Sequence, residues 1–212
     1  MSLPIESSFI PQKGEPLKVR VPSLDDLLAD KLTAFAPNTT GIPYFKNEDS
    51  MSMEIIKQLY DIGILFDQAG DIHRIKTTFE RFARVELSYR NQIMMTPDDV
   101  LDDIIQTSLC LVTRGRDGSG NFDELQSGIQ RVGGFIFSEK FHIEKAIIHA
   151  SKAAWLASLL KSNSTTIKKY GDPAEINEWT IGEPMNTKLN KFKKSNPEAF
   201  FYWYQIFKLT TS

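Results

Sequence analysis

Apolar residues recur three and four positions apart along most of this 212-residue chain, and no other feature restricts its fold so strongly. Side chains at these spacings fall on one face of an α-helix, which can then be buried against other helices. The pattern predicts seven helices: Ser23 to Pro37, about 52–68, about 72–90, Thr96 to Val112, about 122–135, about 139–161, and Asn196 onward. We therefore expect a mainly α fold, arranged as a helical bundle.

A short β segment precedes these helices. Apolar and basic residues alternate from Leu17 to Val21, which predicts one strand with a buried face. We assign residues 1–22 to a leader and this strand, and residues 23–212 to a helical domain. The glycine-rich break at residues 114–121 is a candidate boundary inside that domain.

The composition excludes several classes of protein. Lys and Arg number 25 against 27 for Asp and Glu, and the net charge of −2 gives no general attraction to nucleic acid or to acidic membranes. The single Cys110 excludes an internal disulfide and fits a reducing compartment. No apolar run approaches the roughly 18 residues that a membrane-spanning helix needs. We expect a cytoplasmic protein with no membrane partner.

Lys31 breaks the apolar pattern of the first predicted helix. It falls between Leu28 and Phe35 on the face that should be buried. Its ammonium group could extend past the edge of the core, or it could pair with a buried acid, for which Asp30 and Asp61 are the candidates. It could also reach into a cleft and bind an anion such as a nucleoside triphosphate. The sequence leaves these three explanations open.

Two blocks of the sequence stand in a recognisable order and spacing: LLADKL at residues 27–32 and KQLYDI at residues 57–62. Together they resemble the AbiEii/AbiGii toxin family of nucleotidyltransferases, a branch of the DNA polymerase β-like superfamily. That family has a helix signature LLAEKL, followed after a loop by a helix signature [RK]D.YDL. The resemblance extends from about residue 17 to residue 66 and is loose over the helices that follow.

The resemblance implies roles for three residues. Lys31 would be the family's nucleotide-facing lysine, which contacts phosphate, and Asp61 would be the acidic residue that supports the active site. Lys57, which opens the second block, is the other candidate for nucleotide binding. Gln58 departs from the family pattern, in which an acid often follows this basic residue. The alternative for Lys57 and Asp61 is a surface ion pair one helical turn apart.

The resemblance also implies cofactors. Enzymes of this type use Mg²⁺ and a nucleoside triphosphate, with a Gly-Ser pair and a D-x-[DE] carboxylate pair that holds the metal. This sequence contains no D-x-[DE], and its one Gly-Ser, at residues 118–119, leads to no carboxylate pair and is interpreted as a loop. We assign no metal ligand and expect no tightly bound cofactor. We interpret the chain as the truncated C-terminal half of a nucleotidyltransferase-like α+β protein, inactive alone.

The intact enzyme implied by the resemblance would be a toxin of a toxin–antitoxin or phage-defence system. It would transfer a nucleotide from an NTP to a hydroxyl acceptor, with RNA as the favoured acceptor. Its expected partners are the missing N-terminal segment, an antitoxin protein and the RNA. The edge of the N-terminal strand also predicts self-association.

Two alternatives to an enzyme remain. The helices could form a non-catalytic protein-interaction module. They could instead form an RNA-binding helical domain, in which the lysine run at residues 188–194 contacts phosphates and the aromatic residues at 200–204 stack against bases.

Overall fold

The computed structural model describes residues 2–6, 9, 13–162 and 164–211. Over these residues the protein is mainly helical, which confirms the predicted fold class. The helices are α1 (Leu24–Ala34), α2 (Ser52–Gln68), α3 (Ile72–Tyr89), α4 (Pro97–Val112), α5 (Phe122–Gly133), α6 (Ile143–Lys161), α7 (Phe192–Ser195) and α8 (Pro197–Thr210). Two short 3₁₀ turns, Pro173–Ile176 and Thr187–Lys191, lie between α6 and α7. None of the helices in these ranges is long and apolar enough to cross a membrane.

Two small antiparallel sheets accompany the helices. In the first, β1 (Ser2–Pro4) pairs with β2 (Lys18–Arg20). In the second, β3 (Phe45–Lys46) and β4 (Asp49–Ser50) form a hairpin that the sequence analysis did not predict. The predicted buried face of the N-terminal strand is formed only in part, since Val19 and Val21 are half-buried but Leu17, just before β2, is 71% exposed. A two-stranded ribbon of this size leaves its faces open to solvent.

The helix starts follow capping signals in the sequence. The Ser23 hydroxyl accepts a hydrogen bond from the Asp26 backbone N–H, and the Asp26 carboxylate accepts one from the Ser23 N–H. At the start of α4 the Asp99 carboxylate accepts hydrogen bonds from the Thr96 N–H at 2.7 Å and from the Thr96 hydroxyl at 2.8 Å. These pairs satisfy backbone N–H groups that have no partner within the helix, so they fix where α1 and α4 begin.

Helix α6 forms the centre of the core and packs against α4, α8 and α2. It is buried from Ala146 to Leu160 with the exception of Ile148, because a helix that is apolar on nearly all sides has to be surrounded by others. It begins at Ile143, later than predicted. The ring of His142 accepts a hydrogen bond from the Lys145 N–H at 3.4 Å and caps the helix there.

One buried carboxylate ties the segment after α1 to the core. Asp103 on α4 accepts hydrogen bonds from the backbone N–H of Asn38 at 2.9 Å and from its side-chain amide at 2.6 Å. The hydroxyls of Thr39 and Thr107 donate to the same carboxylate at 2.9 and 3.1 Å. The turn after α1 ends at Gly41. The residue has to be glycine, because a Cβ there would overlap the backbone that follows α1. Asp103 thereby fixes the position of the segment that follows α1.

Candidate functional site

Lys31 and Asp61, the two residues that the resemblance implicates most directly, form an ion pair. The Lys31 ammonium nitrogen lies 3.0 Å from a carboxylate oxygen of Asp61, where α1 packs against α2. Both side chains are partly exposed, 27% for Lys31 and 42% for Asp61. Of the two acids predicted as partners of Lys31, Asp61 is the one with which it pairs. The pair is open to solvent, so a ligand can reach it.

An acidic side chain in the first turn of α1 fixes how this helix is rotated. Asp26 accepts hydrogen bonds from the Arg74 guanidinium at 2.6 and 3.0 Å and from the Thr78 hydroxyl at 2.8 Å. The hydrogen bond from Arg74 holds the pKa of Asp26 well below its usual range. Arg74 and Thr78 both lie on α3. Because its first turn is held against α3, α1 presents Lys31 toward α2.

Lys57 lies on the same helix as Asp61 but pairs elsewhere. Its ammonium nitrogen lies 3.2 Å from the Glu54 carboxylate. Among the residues that the structure describes, no Lys57–Asp61 ion pair is formed, so the alternative of a surface pair between them is wrong. Lys57 stands one helical turn, about 6 Å of rise, from Asp61. Its charge is compensated by Glu54, as that of Lys31 is by Asp61.

The surface formed by Lys31, Lys57 and Asp61 offers two ammonium groups and one carboxylate. Mg²⁺ is held by carboxylates, and the charge of Asp61 is already compensated by the Lys31 ammonium at 3.0 Å. In the described part of the chain, no group of three or more His, Cys, Asp or Glu side chains could hold a metal ion. An ammonium group has three N–H donors, so Lys31 keeps two for another acceptor. Lys31 thus has donors for phosphate oxygens, whereas the single carboxylate of Asp61 does not provide the set of oxygen ligands that Mg²⁺ takes.

Gly118 and Ser119 belong to a turn, as the sequence analysis interpreted them. Gly118 has a φ of +80°, and a Cβ at this position would overlap the Gln106 carbonyl oxygen of α4. The Ser119 N–H donates to the same carbonyl at 3.2 Å. This Gly-Ser pair therefore holds the turn against α4, and its serine N–H is used within the fold.

Four of the five aromatic residues predicted to stack against bases are buried in the core. Phe200, Phe201, Tyr202 and Trp203 are at most 3% exposed. Helix α8 packs against α6, where the Trp203 indole N–H donates to the Ser151 hydroxyl at 2.9 Å. Four consecutive side chains point to all sides of a helix, and here the core surrounds them. For these four residues the prediction that they stack against RNA bases is wrong, whereas Tyr204 is partly exposed and stacks on Trp179 with 4.4 Å between ring centroids.

Lys152 is a buried cation that the sequence analysis missed. It lies on the central helix α6, its side chain is 5% exposed, and its ammonium nitrogen lies 2.8 Å from both carboxylate oxygens of Asp67. A second carboxylate, that of Glu198, lies 3.1 Å away. These contacts join α6 to the end of α2 and the start of α8. A lysine inside the apolar run from Ala150 to Leu160 was the signal that could have revealed it.

His149 is a buried imidazole one turn before Lys152. It is 5% exposed, and its ring centroid lies 5.7 Å from that of Tyr60 and 5.5 Å from that of Phe141. Gly63 on α2 faces the ring so closely that a Cβ there would overlap it. Burial lowers the pKa of His149 to about 4, so the imidazole is neutral at pH 7. The sequence contains no local signal for this contact, because it depends on α2 and α6 packing together.

A comparison with models of known protein families gave a match that contains the Lys31–Asp61 pair. The family model described as nucleotidyl transferase AbiEii toxin, Type IV toxin–antitoxin system, matches residues 2–141. The matched range is more than half of the chain and contains Lys31, Lys57 and Asp61. Comparison with curated proteins and with solved structures gave no match.

Proposed function

This chain belongs to the AbiEii family of nucleotidyl transferase toxins, and we propose that its Lys31–Asp61 pair faces the phosphates of a bound nucleoside triphosphate. The observation that carries the proposal is the pair itself. A lysine stands in an apolar helix face, is held at 3.0 Å by a carboxylate, and stays 27% exposed. A lysine oriented in this way, with two further N–H donors, is suited to bind an anion.

In the proposed reaction an acceptor hydroxyl attacks the α-phosphorus of the NTP. A new oxygen–phosphorus bond forms, the bond to pyrophosphate breaks, and the hydroxyl proton passes to solvent. Lys31 would donate its two remaining N–H groups to phosphate oxygens and stabilise their negative charge. Asp61 would act as a positioning residue, because it holds Lys31 in place. Lys57, one turn away on α2, would add a second cation near the same phosphates.

We further propose that the metal-binding carboxylates lie outside this chain. The sequence contains no D-x-[DE], and Asp61 is already paired with a cation. Mg²⁺ and the NTP would therefore be held between the Lys31 surface and a segment that carries those carboxylates. The 212-residue chain alone would not transfer a nucleotide. RNA is the acceptor we favour, and a cytoplasmic toxin–antitoxin or phage-defence system is the proposed setting.

The mass of the natural gene product tests this part of the proposal. We would capture the protein from its source cells with an antibody and measure its intact mass. A mass well above 24.1 kDa, with added sequence that contains Gly-Ser and D-x-D, is the expected result. A natural product at 24.1 kDa would contradict the proposal of a separate catalytic segment.

A protein-interaction module is the second candidate function, and the exposed apolar residues of the first sheet favour it. Leu3 on β1 is 43% exposed and Leu17, just before β2, is 71% exposed, and in the described residues these strands pair only as a two-stranded ribbon. An antitoxin is the partner that the family description suggests. NTP binding distinguishes the two candidates. Only the enzyme should bind an NTP in a way that depends on Lys31.

A further inference from the structure

A concave pocket of about 300 Å³ lies between the end of α4 and the 3₁₀ turn Thr187–Lys191. Four cationic side chains line it: Arg114, Arg116, Lys188 and Lys191. No aspartate or glutamate is among the described residues that line the pocket. The chain as a whole carries a net charge of −2, so this concentration of positive charge is local.

Three of the four cations are available to a ligand. Arg114 pairs with Glu144, with 2.6 Å between a guanidinium nitrogen and a carboxylate oxygen. In the described part of the chain, no ion pair involves Arg116, Lys188 or Lys191, and all three are exposed. Side chains of one sign that lack internal partners create a surface that attracts anions.

The two walls of the pocket are fixed relative to each other. The Asn186 side-chain amide donates to Asp117 at 2.8 Å, and its oxygen accepts from the Lys188 N–H at 2.9 Å. The turn that carries Arg116 is closed by the Thr113 hydroxyl, which donates to the Asp117 carbonyl at 3.0 Å. Residues 112–116 and 186–192 are thus joined although they are far apart in sequence. The cations on both walls are brought to one pocket by these bonds.

The floor of the pocket is apolar. Its accessible surface comes from Phe192, which is partly exposed, whereas Val112 and Leu189 are each 1% exposed. An apolar floor under a cationic rim matches a ligand that has both a flat, weakly polar body and negative charge. A nucleotide unit has this combination, since its base stacks against apolar and aromatic side chains while its phosphate binds Arg and Lys.

We propose that this pocket binds a single-stranded polynucleotide, with phosphates on Arg116, Lys188 and Lys191 and a base against the floor. A duplex keeps its bases stacked inside and could not fill the floor. An acidic peptide would satisfy the cations but would leave the apolar floor uncovered. Binding in this pocket involves no catalytic step and does not depend on Lys31, but an RNA bound here would be the acceptor of the proposed function, and to that extent the inference rests on it.

Fluorescence anisotropy with labelled 12-nucleotide U RNA and T DNA tests the proposal. The double variant Arg116→Glu, Lys188→Glu should weaken binding by about tenfold or more and reduce the slope of log affinity against log salt. The matched control is Arg84→Glu, Lys46→Glu, which makes the same charge change at exposed residues outside the pocket. This control should retain binding to within about threefold. Thermal melting should show that both variants remain folded.

The same assay identifies the ligand class. Binding of the RNA, the DNA or both, lost only in the pocket variant, supports the proposal. Equal loss in the two double variants would overturn it, because binding would then follow net charge alone. Absence of binding in 50 mM salt would overturn it as well. So would competition by free ATP or polyglutamate as effective as that by the unlabelled strand.

Discussion

Lys31 on α1 and Asp61 on α2 are joined by an ion pair of 3.0 Å that both helices leave partly open to solvent. A partly exposed pair of this kind contributes little to stability, commonly less than about 1 kcal/mol. Leucine or methionine at position 31 would extend the apolar face of α1, and the loss of the ion pair would cost little stability. Stability therefore gives a weak reason for a lysine here, and ligand binding gives a stronger one.

Replacement of Lys31 should separate stability from binding. Lys31→Met should change the free energy of unfolding by less than about 1 kcal/mol, because the lost pair is partly exposed and the methionine fits the apolar face. Lys145→Met is the matched control, since Lys145 also forms a partly exposed pair of 3.0 Å, with Glu139. Urea unfolding measures both. A loss of several kcal/mol for Lys31→Met alone would show that Lys31 has a structural role.

Asp103 should be far more important for stability than its neighbour Asp102. Asp103→Asn should lower the free energy of unfolding by about 3 kcal/mol, because an amide cannot accept all the hydrogen bonds from Asn38, Thr39 and Thr107. Asp102→Asn removes only an exposed pair with Lys161 and should cost less than about 1 kcal/mol. Urea unfolding of the two variants measures the difference. Equal effects would contradict the assignment of Asp103 as the anchor of the segment after α1.

His149 should make the protein less stable in mild acid. Burial lowers its pKa from 6.5 to about 4. As the pH falls from about 6.5 to 4, His149 binds a proton in the unfolded chain but not in the folded protein. The free energy of unfolding therefore decreases. The full effect is about 3 kcal/mol, and above pH 6.5 this residue adds no pH dependence. Urea unfolding at several pH values should show a smaller decrease in His149→Gln than in the exposed control His73→Gln.

Gly63 should tolerate no side chain while His149 is present. Gly63→Ala should lower the free energy of unfolding by about 1–3 kcal/mol, because its Cβ would overlap the imidazole. Gly70→Ala is the control, since a Cβ there meets no atom within 4 Å. In a His149→Ala background the cost of Gly63→Ala should fall sharply. A cost that stays the same would mean that the two residues are not in contact.

Much of the helical architecture could be predicted from local sequence. The caps at Ser23 and Thr96 and the apolar spacing in α2, α3 and α4 act within one helix, so the sequence contains the necessary information. The two-stranded ribbon was harder, because alternation predicts a strand but does not show whether another layer covers it. Leu17 followed the strand pattern and is nevertheless exposed.

The site was only partly predictable for a related reason. Lys31 and Lys152 present the same signal, a lysine in an apolar helix face, yet one side chain is 27% exposed and the other 5%. The difference is set by neighbouring helices, which the local pattern does not contain. The same limit applies to the pocket at Arg116 and Lys188, whose walls come from distant parts of the chain.

The central claim is that the Lys31–Asp61 pair faces a nucleoside triphosphate, and equilibrium binding of MgATP and MgGTP to the natural gene product tests it most directly. Lys31→Met should weaken binding by about tenfold or more, since it removes a charge-assisted contact to phosphate. Asp61→Asn should weaken it less, and Lys145→Met should leave it unchanged. Equal affinity of the wild-type protein and Lys31→Met would contradict the account, and Lys31 would then be only one half of a surface ion pair.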